Sequence, residues 1–357
     1  MIVGHGGNIA EVARQIGCRP SEIIDMSSNV NPLGPPPGLL AHLGQHLEAI
    51  LALPEVDSRQ MVEAFARRHD LPADAVLAGN GTTQLIYALP RALDTRRALI
   101  LGPTYADYAD ACRMQGIAPA FCMAREADRF QPDLELLAKA ADDADTVFVC
   151  NPNNPTGALI PSVELERCCR RHPAVRFIID ESYLPFAPPA EAKSLIGCGL
   201  QNVVVLNSMS KIFRIPGLRI GFAVSGPATI DRLRQLALPW SVNSLAQAAV
   251  HYLMARPAET DAFVAETRQH LEAEKSALNR ALGTAAHLQP YPSATSFILI
   301  RLEGGLTAAT VWRRLARRRI LIRDCANFEG LSERFIRISL KERETNRHLG
   351  RLLLELA

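Results

Sequence analysis

The chain carries no excess of charge of either sign: 39 lysines and arginines face 37 aspartates and glutamates across 357 residues. A net charge of +2 supplies no bulk field to hold nucleic acid or an anionic membrane surface, which excludes both as charge-driven partners. Nor does any apolar run approach the ~18 residues that a membrane span requires. Met1 to Gly7 has neither the basic start nor the apolar stretch of an export signal, so a soluble, unexported, cytoplasmic protein is expected. C-x-x-C pairs are missing as well. The eight cysteines are scattered, which speaks against a zinc or disulfide framework, predicts no metal and fits reduced thiols in the cytosol. There is no internal repeat and no low-complexity tract. What is present, 48% hydrophobic and 21% charged residues, can bury a large core over about two domains.

Short apolar runs alternate with amphipathic stretches through the middle of the chain. The runs at 98–101, 146–150, 177–179 and 203–206 are unbroken by polar residues, as strands covered on both faces should be. Helical periodicity occupies 61–68, 107–114, 134–141 and 163–171 between them. That rhythm predicts an α/β domain with a mostly parallel sheet flanked by helices. After about Asn243 helical periodicity dominates to Leu282, broken near Pro257. Strand candidates at 297–300, 320–322 and 335–338 and a terminal helix from about Lys341 then predict a smaller α+β domain. The Pro/Gly-rich stretch 31–38 can continue neither a helix nor a central strand and reads as an ordered crossing segment.

Four segments place polar residues at the end of a predicted strand or before a helix, where ligands bind in open α/β sheets. Gly79-Asn80-Gly81-Thr82-Thr83 precedes a helical stretch and could close backbone N–H groups on an anion, although taken alone it reads more readily as a plain strand-to-helix turn. It is not the G-x-G-x-x-G of a dinucleotide site. Asn151-Pro152-Asn153-Asn154-Pro155-Thr156-Gly157 fixes its backbone tightly enough to present a side-chain amide in one orientation, or to form a rigid turn with capping asparagines. Asp180 closes the run 177–179, where a carboxylate is costly unless it meets a cation or several donors; a helix cap is the other reading. Ser208-Met209-Ser210-Lys211, followed by Arg219, concentrates phosphate and carbonyl partners after one strand, although Lys211 alone would read as a solvated loop lysine.

Asn-Pro-x-Asn-Pro-Thr-Gly, then Asp-x-x-Tyr, then Ser-x-Ser-Lys with an arginine eight residues on, resembles the fold-type I pyridoxal-phosphate enzymes of the aminotransferase class I/II superfamily. The resemblance spans nearly the whole chain. It implies a large cofactor-binding domain over 35–255, a small C-terminal domain over 256–357, and an N-terminal segment, 1–34, that joins the small domain and covers the active site. It also implies Lys211 as the covalent anchor of pyridoxal 5′-phosphate and Asp180 as the partner of the pyridine nitrogen. Asn154 and Tyr183 are implied on the ring oxygen, and Tyr105 against the ring face. Ser208, Ser210, Arg219 and the Gly81, Thr82 and Thr83 amides are implied around the phosphate. A carbanion formed at an amino acid's Cα is stabilised only while the ring nitrogen stays protonated, which is why a carboxylate is needed there.

The two ends of the chain are more selective. His5-Gly6-Gly7-Asn8, residues 25–34, Pro239 to Gln247 and Ile322 to Phe328 look like the branch that decarboxylates L-threonine O-3-phosphate to (R)-1-amino-2-propanol phosphate for cobalamin. Its close relatives are the histidinol-phosphate aminotransferases, which share the cofactor contacts. By that likeness His5 and Asn29 lie near the substrate phosphate and Arg323 and Arg337 grip substrate anions. A plain chain terminus and an exposed strand charge are the alternatives for His5 and Arg337. A homodimer is implied, its active sites at the subunit interface. Relatives often have Tyr-Pro where this chain has Leu53-Pro54, and Leu53 cannot donate to a neighbour's cofactor phosphate; Ser296 stands where asparagine is common. A cofactor-binding transcription regulator would need a DNA-binding module for which the sequence leaves no room.

Overall fold

The computed structural model describes residues 6–190 and 193–356. A short strand β1 (Ile24–Asp25) precedes a sheet built from β2 (Val76–Asn80), β3 (Ala98–Gly102), β4 (Ala120–Met123), β5 (Thr146–Cys150), β6 (Arg176–Asp180), β7 (Val203–Ser208) and β8 (Ile220–Val224). Its order is β2-β8-β7-β6-β5-β3-β4, and β8 alone runs antiparallel to its neighbours. Residues of β3 and β5 are buried throughout, which is the physical reason these strands read as continuous apolar runs. The helices expected at 107–114 and 134–141 form as Asp107–Met114 and Leu134–Ala141, and those at 61–68 and 163–171 begin slightly earlier.

A second sheet, in the order β12-β13-β10-β9, uses β9 (Leu288–Pro290), β10 (Phe297–Leu302), β12 (Arg323–Asp324) and β13 (Phe335–Ser339). The strand expected at 320–322 is divided: β11 (Ile320–Leu321) leaves this sheet to pair in parallel with β1, and the chain resumes as β12. The N-terminal segment is thereby tied to the second sheet, because Met26 N–H bonds Leu321 O at 2.8 Å and Ser339 N–H bonds Met26 O at 2.7 Å. The helical stretch after Asn243 breaks at Pro257 into Ser244–Met254 and Pro257–Leu282, proline serving as the first residue of the longer helix. No helix among the described residues is long and apolar enough to cross a membrane.

The crossing segment is held where the site forms. Asn31 is fully buried; its Nδ2 donates to Ile212 O at 2.7 Å and Thr267 Oγ1 at 2.8 Å, and its N–H donates to Lys211 O at 3.0 Å. One asparagine therefore joins the Lys211 turn to the long helix.

Candidate active site

The carboxyl ends of β2, β3, β5, β6 and β7 open on one side of the large sheet, and their polar residues converge there. A cavity of about 80 Å³ is lined by Gly81, Thr82, Thr83, Tyr105, Asn154, Asp180, Tyr183, Ser208, Ser210, Lys211 and Arg219. All the residues expected around the cofactor thus share one space. A larger adjoining cavity of about 310 Å³ is lined in part by Asn29, Arg323 and Arg337 together with Lys211, Asn154 and Tyr183. His5 lies outside the described residues; Gly6 lines the larger cavity.

Asp180 ends β6 with its side chain buried. Burial of a carboxylate demands donors, and two are present: Tyr108 Oη–H at 2.7 Å and Ser182 N–H at 2.9 Å. Tyr108 was not anticipated from the sequence. It sits on the helix Asp107–Met114, stacked on Phe148 with 5.6 Å between centroids and edge-on to Tyr105 at 5.7 Å. The available signal was a tyrosine on the inward face of a helix, whose hydroxyl must find a partner when buried. Tyr108→Phe leaves a buried carboxylate oxygen one donor short, an expected loss of about 1–3 kcal/mol, checked by urea unfolding of the variant against the parent protein.

The opposite end of the small cavity is shaped for an anion. Gly81 opens the helix Gly81–Ala92 at φ +73°, where its N–H donates to Arg219 O at 3.0 Å. A Cβ there would come within 2.6 Å of Arg219 Nη2, so only glycine leaves the guanidinium its place. The first-turn N–H groups and the helix dipole face the same region. Arg219 Nη2 reaches Thr83 Oγ1 at 3.4 Å. Ser210 Oγ also contacts the β8 backbone, donating to Ile220 O at 3.3 Å and accepting from Ile220 N–H at 3.4 Å.

Lys211 lies between these ends, half-buried on the short helix Met209–Ile212. Burial pushes its amine down to about 8, Arg219 and Arg337 push the same way, and Asp180 opposes them. Tyr183 is pushed up to about 12, chiefly by burial, against the pull of Arg337 and the Asn29 amide.

Arg337 is buried on β13, not exposed on a strand surface. Its Nη1 donates to Asn154 Oδ1, its Nη2 donates to Ser27 O at 2.8 Å, and its Nε has no hydrogen-bond partner among the described residues. Arg323 is half-buried, held by Asn327 Oδ1 at 2.6 Å and by the Phe328 ring 5.1 Å from its guanidinium carbon. Asp25 Oδ1 organises the segment between them, accepting from the Ser27 N–H and hydroxyl and from Ser28 N–H. Asn29 faces Tyr183 and Ser339 as well as the larger cavity.

A family model described as aminotransferase class I and II matches residues 21–352. The chain belongs to that family. It is 35% identical over 351 residues to the threonine-phosphate decarboxylase of Salmonella typhimurium, covering 97% of this chain and 94% of that protein. Among solved structures, the L-threonine-O-3-phosphate decarboxylase of Porphyromonas gingivalis superposes with a TM-score of 0.79 at 32% identity, covering 92% of this chain and 97% of the other. The histidinol-phosphate aminotransferase of Clostridium acetobutylicum gives a TM-score of 0.83 at 25% identity, covering 93% and 98%. The family's fold therefore accommodates both reactions that the sequence suggested.

Proposed function

We propose that this chain is a pyridoxal 5′-phosphate-dependent decarboxylase that converts L-threonine O-3-phosphate to (R)-1-amino-2-propanol phosphate and carbon dioxide, a step of cobalamin biosynthesis. The observation that carries the reading is the pair of guanidiniums, Arg323 and Arg337, on one cavity beside Lys211. Threonine phosphate carries two anions, a carboxylate and a phosphate, and two fixed arginines suit it. Histidinol phosphate has no carboxylate. The full-length likeness to the Salmonella decarboxylase supports the same choice.

The donor set fits the cofactor. An aromatic ring with a basic nitrogen at one end and a phosphate at the other requires a carboxylate and an anion seat at opposite ends of a slot, which Asp180 and the Gly81–Arg219 turn supply. Lys211 would hold the aldehyde carbon, Asn154 and Tyr183 the ring oxygen, and Tyr105 the ring face. Ser208, Ser210, Thr82, Thr83 and Arg219 would hold the phosphate. When bound, the group supplies an electron sink for a bond broken at the substrate's Cα.

The chain's own side chains do the rest. Arg323 and Arg337 would fix the substrate by its two anions and so choose which Cα bond is presented for breaking, the bond to the carboxylate for decarboxylation or the bond to hydrogen for amino transfer. Asn29, and His5 at the chain start, would complete the grip on the phosphate. Lys211 Nζ then delivers a proton to Cα. Parallel incubation with threonine phosphate, serine phosphate and histidinol phosphate tests the assignment: turnover of the first by carbon dioxide release supports it, and turnover of histidinol phosphate alone overturns it.

We assign residues 35–255 to a cofactor-binding domain and 256–357, with 1–34 laid against it, to a second domain, a division supported by the separate sheets at 76–224 and 288–339. We also propose a cytoplasmic homodimer. Eight free cysteines agree with a reducing compartment. Leu47, Ile50, Leu51 and Leu53 are 54%, 64%, 84% and 74% exposed on one short stretch, with half-exposed Trp240 bonded to it through Val56 O. Apolar surface of this kind is normally covered by a partner. Leu51→Glu combined with Leu53→Glu is expected to shift the protein from dimer to monomer in analytical ultracentrifugation at micromolar concentration.

A further inference from the structure

We propose that Asn29 is a positioning residue which, backed by Ser339, sets the direction in which the Tyr183 phenol donates its hydrogen. Asn29 Nδ2 donates to Tyr183 Oη at 3.2 Å, and Asn29 Oδ1 accepts from Ser339 Oγ at 2.7 Å. All three side chains are buried, at 5%, 6% and 0% exposure for Asn29, Tyr183 and Ser339. They come from three distant parts of the chain: the N-terminal segment, the turn after β6, and the end of β13.

The polarity of this chain of bonds has a consequence at its far end. A phenol has one hydrogen, and its oxygen here is already engaged as an acceptor, so that hydrogen is free for an acceptor elsewhere. Tyr183 lines both cavities, and its ring is fixed edge-on to Phe297 with 5.2 Å between centroids and 86° between planes. The hydrogen is thereby available to the site. A donor whose own oxygen accepts a hydrogen bond is polarised and donates more strongly. Ser339 is itself anchored through its N–H to Met26 O at 2.7 Å. One N–H and one lone pair of the Asn29 amide are thus spent inside the protein.

The inference rests on Tyr183 donating to the cofactor's ring oxygen, as proposed above. Holoenzyme without substrate is titrated with acid and base while the cofactor's visible absorbance is followed. Loss of a donor to the ring oxygen disfavours its anionic form, so Tyr183→Phe raises the midpoint. Asn29→Ala is expected to raise it by about 0.7 pH unit, the equivalent of one hydrogen bond. Ser339→Ala, which deletes one oxygen atom, is expected to raise it by about 0.3 unit through weakened polarisation, and neither adds a shift on the Tyr183→Phe background. If Tyr183→Phe moves the midpoint while Asn29→Ala and Ser339→Ala leave it in place, the proposal is overturned, and a raised KM in Asn29→Ala then assigns Asn29 to the substrate alone. If Tyr183→Phe itself leaves the midpoint unmoved, the reading of Tyr183 falls and the proposal with it.

Discussion

Lys211→Ala is expected to abolish turnover, a loss of at least ~10³-fold in kcat, because in the proposed mechanism one amine would serve both as nucleophile toward the cofactor and as the proton donor to Cα. Its surroundings prepare it for both tasks. Burial, reinforced by Arg219 and Arg337, lowers the amine to about 8. A lowered value enlarges the unprotonated, nucleophilic fraction at neutral pH. Capture of the cofactor by apoprotein should therefore quicken with rising pH along a curve centred near 8, well below the ~10.4 of an unperturbed lysine. Stopped-flow absorbance between pH 6 and 10 checks the curve. A rate that climbs without levelling past pH 9 would show that the neighbouring guanidiniums and burial do not act on this amine.

Asp180→Asn is the second large effect, with kcat expected to fall by about 10²–10³-fold while KM changes little, as for removal of an electrostatic partner felt mainly in the transition state. In the proposed site Asp180 would keep the ring nitrogen protonated, and an amide has no charge with which to do so. In the variant the amide oxygen keeps the Ser182 N–H bond, while the new NH2 group can only donate, so the Tyr108 hydroxyl must turn to accept from it. Steady-state kinetics and thermal melts of the variant separate the two roles. Retained stability with lost turnover is expected, since a neutral side chain is easier to bury than a carboxylate. A large fall in Tm with nearly normal kcat in the folded fraction would make Asp180 a structural residue instead.

The parts of this molecule legible in the sequence share one property: the signal is local. The runs that become β3, β5, β6 and β7 are apolar on both faces because the sheet is covered on both sides, and the polar residues that follow them fall at the strand ends. β2 was obscured because Ala78 and Gly79 carry little strand preference, and Gly79 is required where a Cβ would press on Leu85 at 2.8 Å. β8 follows directly on the loop that carries Arg219, and nothing local distinguishes a strand that reverses direction in an otherwise parallel sheet.

The site divides along the same line. Lys211, Asp180 and Asn154 announce themselves through spacing and through the residues around them. Tyr108 on Asp180 and Asn29 on Tyr183 depend on contacts between residues 72 and 154 positions apart, and the hydroxyl behind Asn29 is 310 positions away. No periodicity encodes such pairings. Arg337 looked like a strand residue of either face; the register of β13 against β10, with Arg337 opposite Leu299, fixes its position in the buried sheet.

The decarboxylase reading is tested most directly by following threonine phosphate labelled with ¹³C in its carboxyl group, with holoenzyme and with 2-oxoglutarate present. Labelled carbon dioxide and aminopropanol phosphate are expected to accumulate in equal amounts while no glutamate forms. Glutamate appearing at the rate of substrate loss, with the label retained in a keto acid, would contradict the decarboxylase reading.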